Sequence, residues 1–313
     1  MYDRQMIKVF GHISPDTDAV GSAILWAWYL NTEMSEKAIP FVLGTLNKET
    51  AFVLKRWNIP EPILLESIKT DDNVVIVDTN NPQELFPNIL DTNIIQIIDH
   101  HRLSGGLSTK SPLEMHLKPF ASTASVIQSL IKIPLESTPK DMSGLLLSCI
   151  LSDTLAFRSP TTTPHDKDLA ERIGKILEID IYKYADEMFQ AKSDMSDFSD
   201  VGLIHLDSKK SPLGNKNIRV SVIETTDPAS ILKRKDGIVA AIKSVISKEK
   251  DIDDVLFFIV DILKEESTVF TYNEFTKGII EASFNVAIQS DTKALPGIIS
   301  RKKQIIPVLE LPK

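Results

Sequence analysis

The segment Gly-His-Ile-Ser-Pro-Asp-Thr-Asp, residues 11–18, stands between two patterns that decide the fold. Residues 6–10 before it predict a β-strand, and the alanines and large apolar residues of Asp18–Leu30 suit a mostly buried helix. The sequence therefore predicts that His12, Asp16 and Asp18 share one tight turn between a strand and a helix. Either aspartate alone could be an ordinary helix N-cap, and His12 alone could be structural.

The same arrangement recurs twice further along the chain. Asp78 follows the apolar run of residues 74–77, and Asp99-His100-His101 follows the run of residues 94–98. A charged group directly after a buried strand is costly to desolvate unless a cation or hydrogen bonds compensate it. Asp78 alone could start a turn, but the repetition on three strands favours one shared site.

Neighbouring parallel strands place their carboxyl ends in one crevice of an open α/β sheet. Carboxylates and imidazoles meeting there predict a dinuclear metal centre, and a ligand set rich in carboxylate without thiolate favours Mn²⁺ or Co²⁺ over Zn²⁺. Asp153 ends an apolar, helix-like run, where the helix dipole disfavours negative charge. A role in bridging two cations would explain that placement.

The element pattern predicts an α/β protein of two domains with a linker. Residues 1–191 alternate near-continuous apolar strands with helices, which is typical of a parallel sheet covered on both faces. Residues 192–199 are polar and lack apolar periodicity, so we expect a linker or hinge there. Residues 200–313 are expected to form a smaller mixed-sheet domain. In the first domain the predicted strands are 6–10, 39–43, 73–78 and 93–99, and the predicted helices are 18–30, 48–57, 123–133, 140–152, 165–177 and 181–191.

For the second domain, the pattern predicts a hairpin of strands 201–207 and 218–223 around the turn-rich residues 211–217. A helix over 227–248 is expected next. Three strands follow it in this prediction, over residues 254–263, 269–272 and 298–309.

The composition excludes several classes. The net charge is −8, with 42% hydrophobic and 25% charged residues, so an ordinary globular protein is expected rather than a nucleic-acid coat. The only cysteine, Cys149, lies in an apolar run and is predicted to be a buried core thiol. No secretory signal and no apolar stretch of about 20 residues is visible, so we expect no membrane partner and a cytoplasmic location. No zinc-finger, Walker, nucleophile-elbow or dinucleotide motif occurs.

A cationic segment, Ser300-Arg301-Lys302-Lys303-Gln304, interrupts apolar sequence near the C-terminus. Arginine can bind a phosphate group through two parallel hydrogen bonds, and lysine adds a compact positive charge. A solvated charge patch is the alternative for such a run. Next to a metal site, the run favours a phosphate compound as substrate.

With these residues in this order and spacing, the chain resembles the manganese-dependent inorganic pyrophosphatases, the family II pyrophosphatases of the DHH phosphoesterase superfamily. The likeness runs from Ile7 to Leu309. The Ser-Arg-Lys-Lys-Gln segment is specific, because nucleases of the superfamily carry a Gly-Gly-Gly-His signature that is missing here. The resemblance implies a DHH-type first domain, a second domain that closes over the substrate, and an active site in the cleft between them.

The resemblance also implies a role for each matching residue. His12, Asp16, Asp78 and Asp153 would bind one Mn²⁺, and Asp18, Asp78, His100 and Asp153 the other, with Asp78 and Asp153 bridging. Asp99 would orient its neighbours. His101, Lys209, Arg301 and Lys302 would contact the substrate.

The implied reaction is hydrolysis of pyrophosphate to two phosphates by a water or hydroxide that bridges the two metals. The resemblance also implies that Mg²⁺ arrives with the substrate and that Co²⁺ can substitute for Mn²⁺. A homodimer is expected, and no nucleic-acid partner. The alternatives are an exopolyphosphatase or another phosphoesterase of the superfamily, and a non-catalytic regulator. The chain departs from the family pattern at Thr79 and Asn81, where Val-Asp-His-Asn-Glu is frequent, and at Lys118, where glutamate is frequent.

Overall fold

The computed structural model describes residues 6–312. The chain divides after Lys192 into two compact units. The limits 1–191, 192–199 and 200–313 that the sequence suggests for functional domains and a linker stay a prediction.

The first unit alternates strands and helices, as the sequence predicts. Its elements are β1 (Ile7–Phe10), α1 (Thr17–Glu33), β2 (Ala38–Val42), α2 (Lys48–Arg56), β3 (Ile63–Leu64), β4 (Asn73–Val77), β5 (Asn93–Asp99), β6 (Glu114–Leu117), α3 (Thr123–Gln128), α4 (Lys140–Asp153), α5 (Pro164–Leu177) and α6 (Ile181–Lys192).

The six strands form one parallel sheet in the order β3-β2-β1-β4-β5-β6. After β1 the chain first forms β2 and β3 on one side of β1, and it then crosses to the other side of β1 to form β4, β5 and β6. The strand order therefore reverses between β1 and β4, and a crevice opens there at the carboxyl ends of the strands. Residues 11–18 and Asp78 follow these two strands, so the topology places them at the crevice.

The core of this unit explains why its central strands are mostly apolar. β1 and the apolar residues of β4 are buried, because α-helices cover one face of the sheet and the 3₁₀ turns and loops of residues 65–68 and 82–91 cover the other. Helix α1 is buried along most of its length and packs against α4, α3 and the sheet. Cys149 lies buried on α4, as predicted.

The second unit is a five-stranded mixed sheet with helices on both faces. Its strand order is β11-β10-β9-β8-β7, with β8 and β9 parallel and the other pairs antiparallel. Its elements are α7 (Asp200–Leu206), β7 (Ser208–Leu213), β8 (Lys216–Thr225), α8 (Pro228–Leu232), α9 (Lys235–Lys248), β9 (Asp254–Asp261), β10 (Glu266–Phe270), α10 (Glu274–Phe284) and β11 (Thr292–Pro296).

Strand β9 shows how this sheet is covered. Val255, Phe257 and Ile259 belong to one apolar cluster, while Leu256, Phe258 and Val260 belong to another. Because successive side chains of a strand point to opposite faces, both faces of the sheet are buried at β9.

The predicted strand over residues 201–207 is wrong, because these residues form helix α7. Ser199 caps the helix by accepting a hydrogen bond from the backbone N–H of Gly202 at 3.0 Å, and Leu203 and Ile204 are buried in the core. The hairpin lies later, between β7 and β8, and its turn uses Gly214 with a φ of 58°.

The predicted strand over residues 298–309 is also wrong. Arg301–Ile305 forms a π-helical turn and Ile306–Val308 a 3₁₀ turn, while the strand of this region is β11. Ser300 caps the turn, and Pro307 has no N–H to donate to a β-ladder. The predicted helix over 227–248 is interrupted between α8 and α9.

Among residues 6–312, no helix has both the length and the apolar character that crossing a membrane requires.

Candidate metal centre

Three overlapping groups of histidine and aspartate could each hold a metal ion at the crevice of the first unit. Within each group the possible ligand atoms lie within 4.8 Å of one another. The sequence predicts every member of these groups as a site residue. The groups are His12, Asp16 and Asp78; Asp18, His100 and Asp153; and Asp78, His100 and His101.

Asp78 belongs to two of the three groups, and His100 connects them to the third. Its Oδ2 lies 3.4 Å from His12 Nε2, and its Oδ1 lies 3.5 Å from His100 Nε2. Each oxygen of one carboxylate thus faces a different imidazole, which is the arrangement expected of a carboxylate that bridges two ions.

One further aspartate lies next to each of these two histidines. Asp16 Oδ2 lies 3.8 Å from His12 Nε2, and Asp153 Oδ2 lies 3.7 Å from His100 Nε2. Two ligands of an octahedral ion with bonds of about 2.1 Å lie about 3 Å apart when they are adjacent. The donor types and separations therefore fit Mn²⁺ or a similar hard divalent ion.

The backbone places Asp78 at a special conformation. Its φ is 61°, in the left-handed region that non-glycine residues seldom adopt, directly after β4. Its N–H still donates to Ile98 O at 3.0 Å, so the ladder to β5 holds the strained residue in place. Strain of this kind is frequent where a side chain must point into a site.

Asp18 is fully buried at the start of α1 and is surrounded by donors. Its Oδ1 accepts hydrogen bonds from Ser122 Oγ at 2.9 Å and from Ala124 N at 3.1 Å, and its Oδ2 accepts one from Thr123 N at 2.6 Å. Thr123 Oγ1 also donates to Asp78 Oδ1 at 2.9 Å. The start of α3 with its N-cap Ser122 therefore orients the carboxylates of both Asp18 and Asp78.

The three residues of the Asp-His-His segment have different environments. Asp99 is fully buried, and its Oδ1 accepts from the N–H groups of His100 and His101 and contacts His101 Nδ1 at 2.9 Å. His100 Nδ1 lies 3.1 Å from Phe120 O, and a proton placed there leaves Nε2 free to bind a metal. The side chain of His101 is 54% exposed, so it is accessible to a substrate.

The acidic groups of the site shift one another's pKa values. Burial and the charges of Asp18 and Asp78 raise the pKa of Asp153 well above its ordinary value. Burial and the charge of Asp78 likewise raise the pKa of Asp18 to about 7. Burial also tends to raise the pKa of Asp78, but His100 and His12 outweigh it and hold that pKa well below its usual range.

Burial acts on the pKa values of the two imidazoles in the opposite direction from its effect on the aspartates. Burial tends to lower the pKa of His12 and of His100, but the contacts with Asp78 outweigh burial and raise each pKa to about 9. Divalent cations would compensate the charges of the buried aspartates, and they would have to displace the protons of the two imidazoles in order to bind.

Several residues that position the site carry no signal that sequence reasoning detected. Ser122 and Thr123 are ordinary helix-start residues in sequence, and only the fold brings them to Asp18. Glu49 is fully buried, and its Oε2 accepts from Ser152 Oγ and lies near Lys192 Nζ, both at 3.0 Å. The cavity of about 660 Å³ at the site is also lined by Glu84 and Arg102.

Of the four predicted substrate residues, His101 belongs to the first unit, and the three cationic ones belong to the second. Lys209 lies exposed on β7, and Arg301 and Lys302 lie in the π-helical turn. Arg301 Nη1 lies 2.7 Å from Asp207 Oδ1, so this turn and the start of β7 are neighbours within the unit. The roles of Lys209, Arg301, Lys302 and His101 toward a substrate stay predictions.

The remaining histidines lie outside the three metal-binding groups. His116 contacts Glu114, and His205 contacts Glu249 and Val201 O. His165 stacks on Phe120 with a ring separation of 4.1 Å. These contacts are typical of histidines with structural roles.

Comparisons with known proteins show the family to which the chain belongs. Residues 6–152 match the model of the DHH family, N-terminal domain, and residues 186–311 match the DHHA2 domain. A protein of Oceanobacillus iheyensis named as a probable manganese-dependent inorganic pyrophosphatase is 37% identical over 97% of this chain and 98% of its own length. One of the same name from Bacillus licheniformis is 34% identical over 97% of both chains.

A solved structure gives the same result for the fold. The crystal structure of a Methanococcus jannaschii protein named as a family II inorganic pyrophosphatase matches with a TM-score of 0.61 and 34% identity, over 96% of this chain and 97% of that chain. With identities of this size over nearly the full length, and with the ligand groups assembled at the crevice, the chain belongs to the family of manganese-dependent, or family II, inorganic pyrophosphatases.

Proposed function

We propose that this protein hydrolyses inorganic pyrophosphate to two phosphates at a centre that binds two Mn²⁺ ions. The observation that carries the proposal is the position of Asp78, whose two oxygens face His12 and His100. The names of the relatives support the same activity and the same metal.

The ligand assignment is the one that the family resemblance implies, and the groups of possible ligands in the first unit support it. His12, Asp16, Asp78 and Asp153 would bind one ion, and Asp18, Asp78, His100 and Asp153 the other. When bound, divalent cations act as Lewis acids and lower the pKa of water. Thr123, Ser122 and Phe120 keep the ligands oriented, through hydrogen bonds to Asp78, Asp18 and His100.

The substrate roles are part of the same proposal. His101 lies at the exposed side of the site, where its imidazole can donate to a phosphate oxygen, and Asp99 fixes the ring. Lys209, Arg301 and Lys302 would neutralise the charge that develops on the transferred and leaving phosphates. Arginine suits this because its guanidinium group can bind two phosphate oxygens at once.

The experiment is to measure release of phosphate from pyrophosphate by the full chain, first after treatment with a chelator and then with each metal restored. We expect activity to disappear with the metal and to return with Mn²⁺. Full activity in the metal-free protein would refute the proposal. Co²⁺ as a substitute and Mg²⁺ with the substrate are tested in the same series.

Asp153→Asn tests the bridging role, because an amide binds cations more weakly than a carboxylate. We expect turnover to fall by at least 100-fold, since removal of a metal-bridging charge affects both ions. Asp141→Asn is the matched control, because Asp141 lies at the other end of α4 and outside the cavity. Unchanged turnover in Asp153→Asn would contradict the assignment.

Tripolyphosphate and a nucleoside triphosphate separate the alternatives. Faster release of phosphate from tripolyphosphate than from pyrophosphate would indicate an exopolyphosphatase. If the protein with metal hydrolysed neither pyrophosphate, tripolyphosphate nor the nucleoside triphosphate, it would be a non-catalytic regulator. The proposal includes a homodimer and a cytoplasmic location. Light scattering of the purified chain tests the dimer, and cell fractionation tests the location.

A further inference from the structure

The segment that follows Asp78 folds back on the carboxylate of Glu84. Thr79 Oγ1 donates a hydrogen bond to Glu84 Oε2 at 2.6 Å, and Asn81 Nδ2 donates one to Glu84 Oε1 at 3.3 Å. Both oxygens of an otherwise exposed side chain are therefore held. Holding a glutamate in one orientation costs side-chain entropy, so such an arrangement on a surface turn invites a functional explanation.

The hydrogen bonds around Glu84 have fixed directions. The hydroxyl of Thr79, which is 2% exposed, accepts from Asn81 N at 3.1 Å, so its one proton is available for Glu84. Asn81 Oδ1 accepts from Gln83 N at 3.1 Å, which orients the amide so that its Nδ2 faces Glu84. The position of the carboxylate thus depends on the residue directly after Asp78.

Glu84 also contacts the loop that carries His12. Its carbonyl oxygen accepts a hydrogen bond from Ile13 N at 2.9 Å. Its side chain lines the same cavity as His12, Asp16 and Asp78, and its charge acts on the His12 imidazole. Glu84 therefore connects the loop after β1 with the loop after β4, next to His12, Asp16 and Asp78.

We propose that Glu84 is a positioning residue for the metal centre, because it holds the loop after Asp78 against the loop after His12 and adds negative charge to the cavity. The inference rests on the metal site of the proposed function.

The test measures Mn²⁺ binding, and no turnover, by calorimetric titration of the chelator-treated full chain. Glu84→Ala removes the charge and both hydrogen bonds. Glu84→Gln removes the charge and keeps one acceptor, and Thr79→Val removes one donor with little change of shape. Glu66→Gln is the control, since Glu66 is exposed and lies outside the cavity lining.

We expect Glu84→Ala to weaken the Kd for Mn²⁺ by about 10-fold, the lower end of the effect known for residues that support metal ligands. Glu84→Gln and Thr79→Val should each give a smaller loss, and Glu66→Gln none. The double variant Thr79→Val with Glu84→Ala should bind no more weakly than Glu84→Ala alone, because Thr79 acts through Glu84.

The outcomes separate the two proposals. If the parent chain binds Mn²⁺ and the Glu84 variants bind it equally well, the inference is wrong and the metal site stands. If the parent chain binds no Mn²⁺, the proposed function fails and the inference fails with it. Circular dichroism checks the fold of each variant, and Thr79→Val decides the question if Glu84→Ala does not fold.

Discussion

At the scale of single residues, the protonation state of each side chain at this centre depends on the charges of its neighbours. Asp18 and Asp153 have raised pKa values because they are buried near other carboxylates, while Asp78 keeps its charge because His12 and His100 face it. Divalent cations would replace the protons of this cluster. Metal binding and proton binding should therefore compete.

The first prediction concerns that competition. Both His12 and His100 have a pKa of about 9 in the metal-free protein, above the ordinary value, so both are protonated at pH 7. A metal requires neutral imidazole, so Mn²⁺ must displace these protons, and its apparent affinity should rise from pH 6 to pH 9. Titration calorimetry in buffers of different ionisation enthalpy measures the protons released.

His116→Ala is the control for this experiment, because His116 lies outside the metal-binding groups and should leave proton release unchanged. An affinity for Mn²⁺ that is the same at pH 6 and pH 8, with no proton release, would contradict the pKa values on which the prediction depends.

At the scale of elements, the contact between α1 and α4 brings Asp18 and Asp153 to one site. The two helices approach closely at Gly21, where a Cβ atom would lie 2.2 Å from Cys149 Sγ. A glycine in a helix interior is less favourable than alanine by about 1 kcal/mol, so its use here indicates a packing requirement.

The second prediction is that Gly21→Ala destabilises the protein by about 1–3 kcal/mol despite its better helix propensity, because overpacking forces the two helices apart. Urea unfolding of the metal-free chain measures the change. Cys149→Ala removes the sulfur that the new methyl group would meet, so it should recover part of the loss in the double variant. Equal stability of Gly21→Ala and the parent chain would contradict the prediction, because the cost of overpacking would then only offset the gain in helix propensity.

At the scale of the whole molecule, the chemistry is divided between two units that each have a core of their own. All the metal-ligand candidates precede Lys192, and the cationic substrate residues follow it. The third prediction is that Mn²⁺ slows amide hydrogen exchange in the first unit, because a ligand that binds only the folded state lowers the population of open forms. Peptides that contain β4 and α4 should show the effect.

Peptides of the second unit that contain β8 and β9 are the internal control, and their exchange should not change when Mn²⁺ is added without substrate. Hydrogen-exchange mass spectrometry measures both sets in one sample. Equal protection of the two units by Mn²⁺ alone would contradict the assignment of all ligands to the first unit.

The sequence by itself determined the parallel α/β character of the first unit and the residues that meet at its metal site. Both depend on local signals: apolar runs of strand length, and charged residues directly after them, as at Asp78 and Asp99. Once neighbouring strands are parallel, their carboxyl ends share one edge, so the positions along the chain were sufficient to predict that the side chains would meet.

Only the tertiary structure decided which groups hold those side chains in place. The hydrogen bonds from Ser122 to Asp18 and from Asn80 to Asp99 join residues that local periodicity does not relate. The helix at 200–206 was missed because a short apolar segment suits either a strand or a helix, and packing chooses between them. The turn at 301–305 was missed because the apolar residues on either side of it suited a strand. The sequence pattern encodes which face of an element is apolar, whereas the partner of a polar group depends on the arrangement of distant elements.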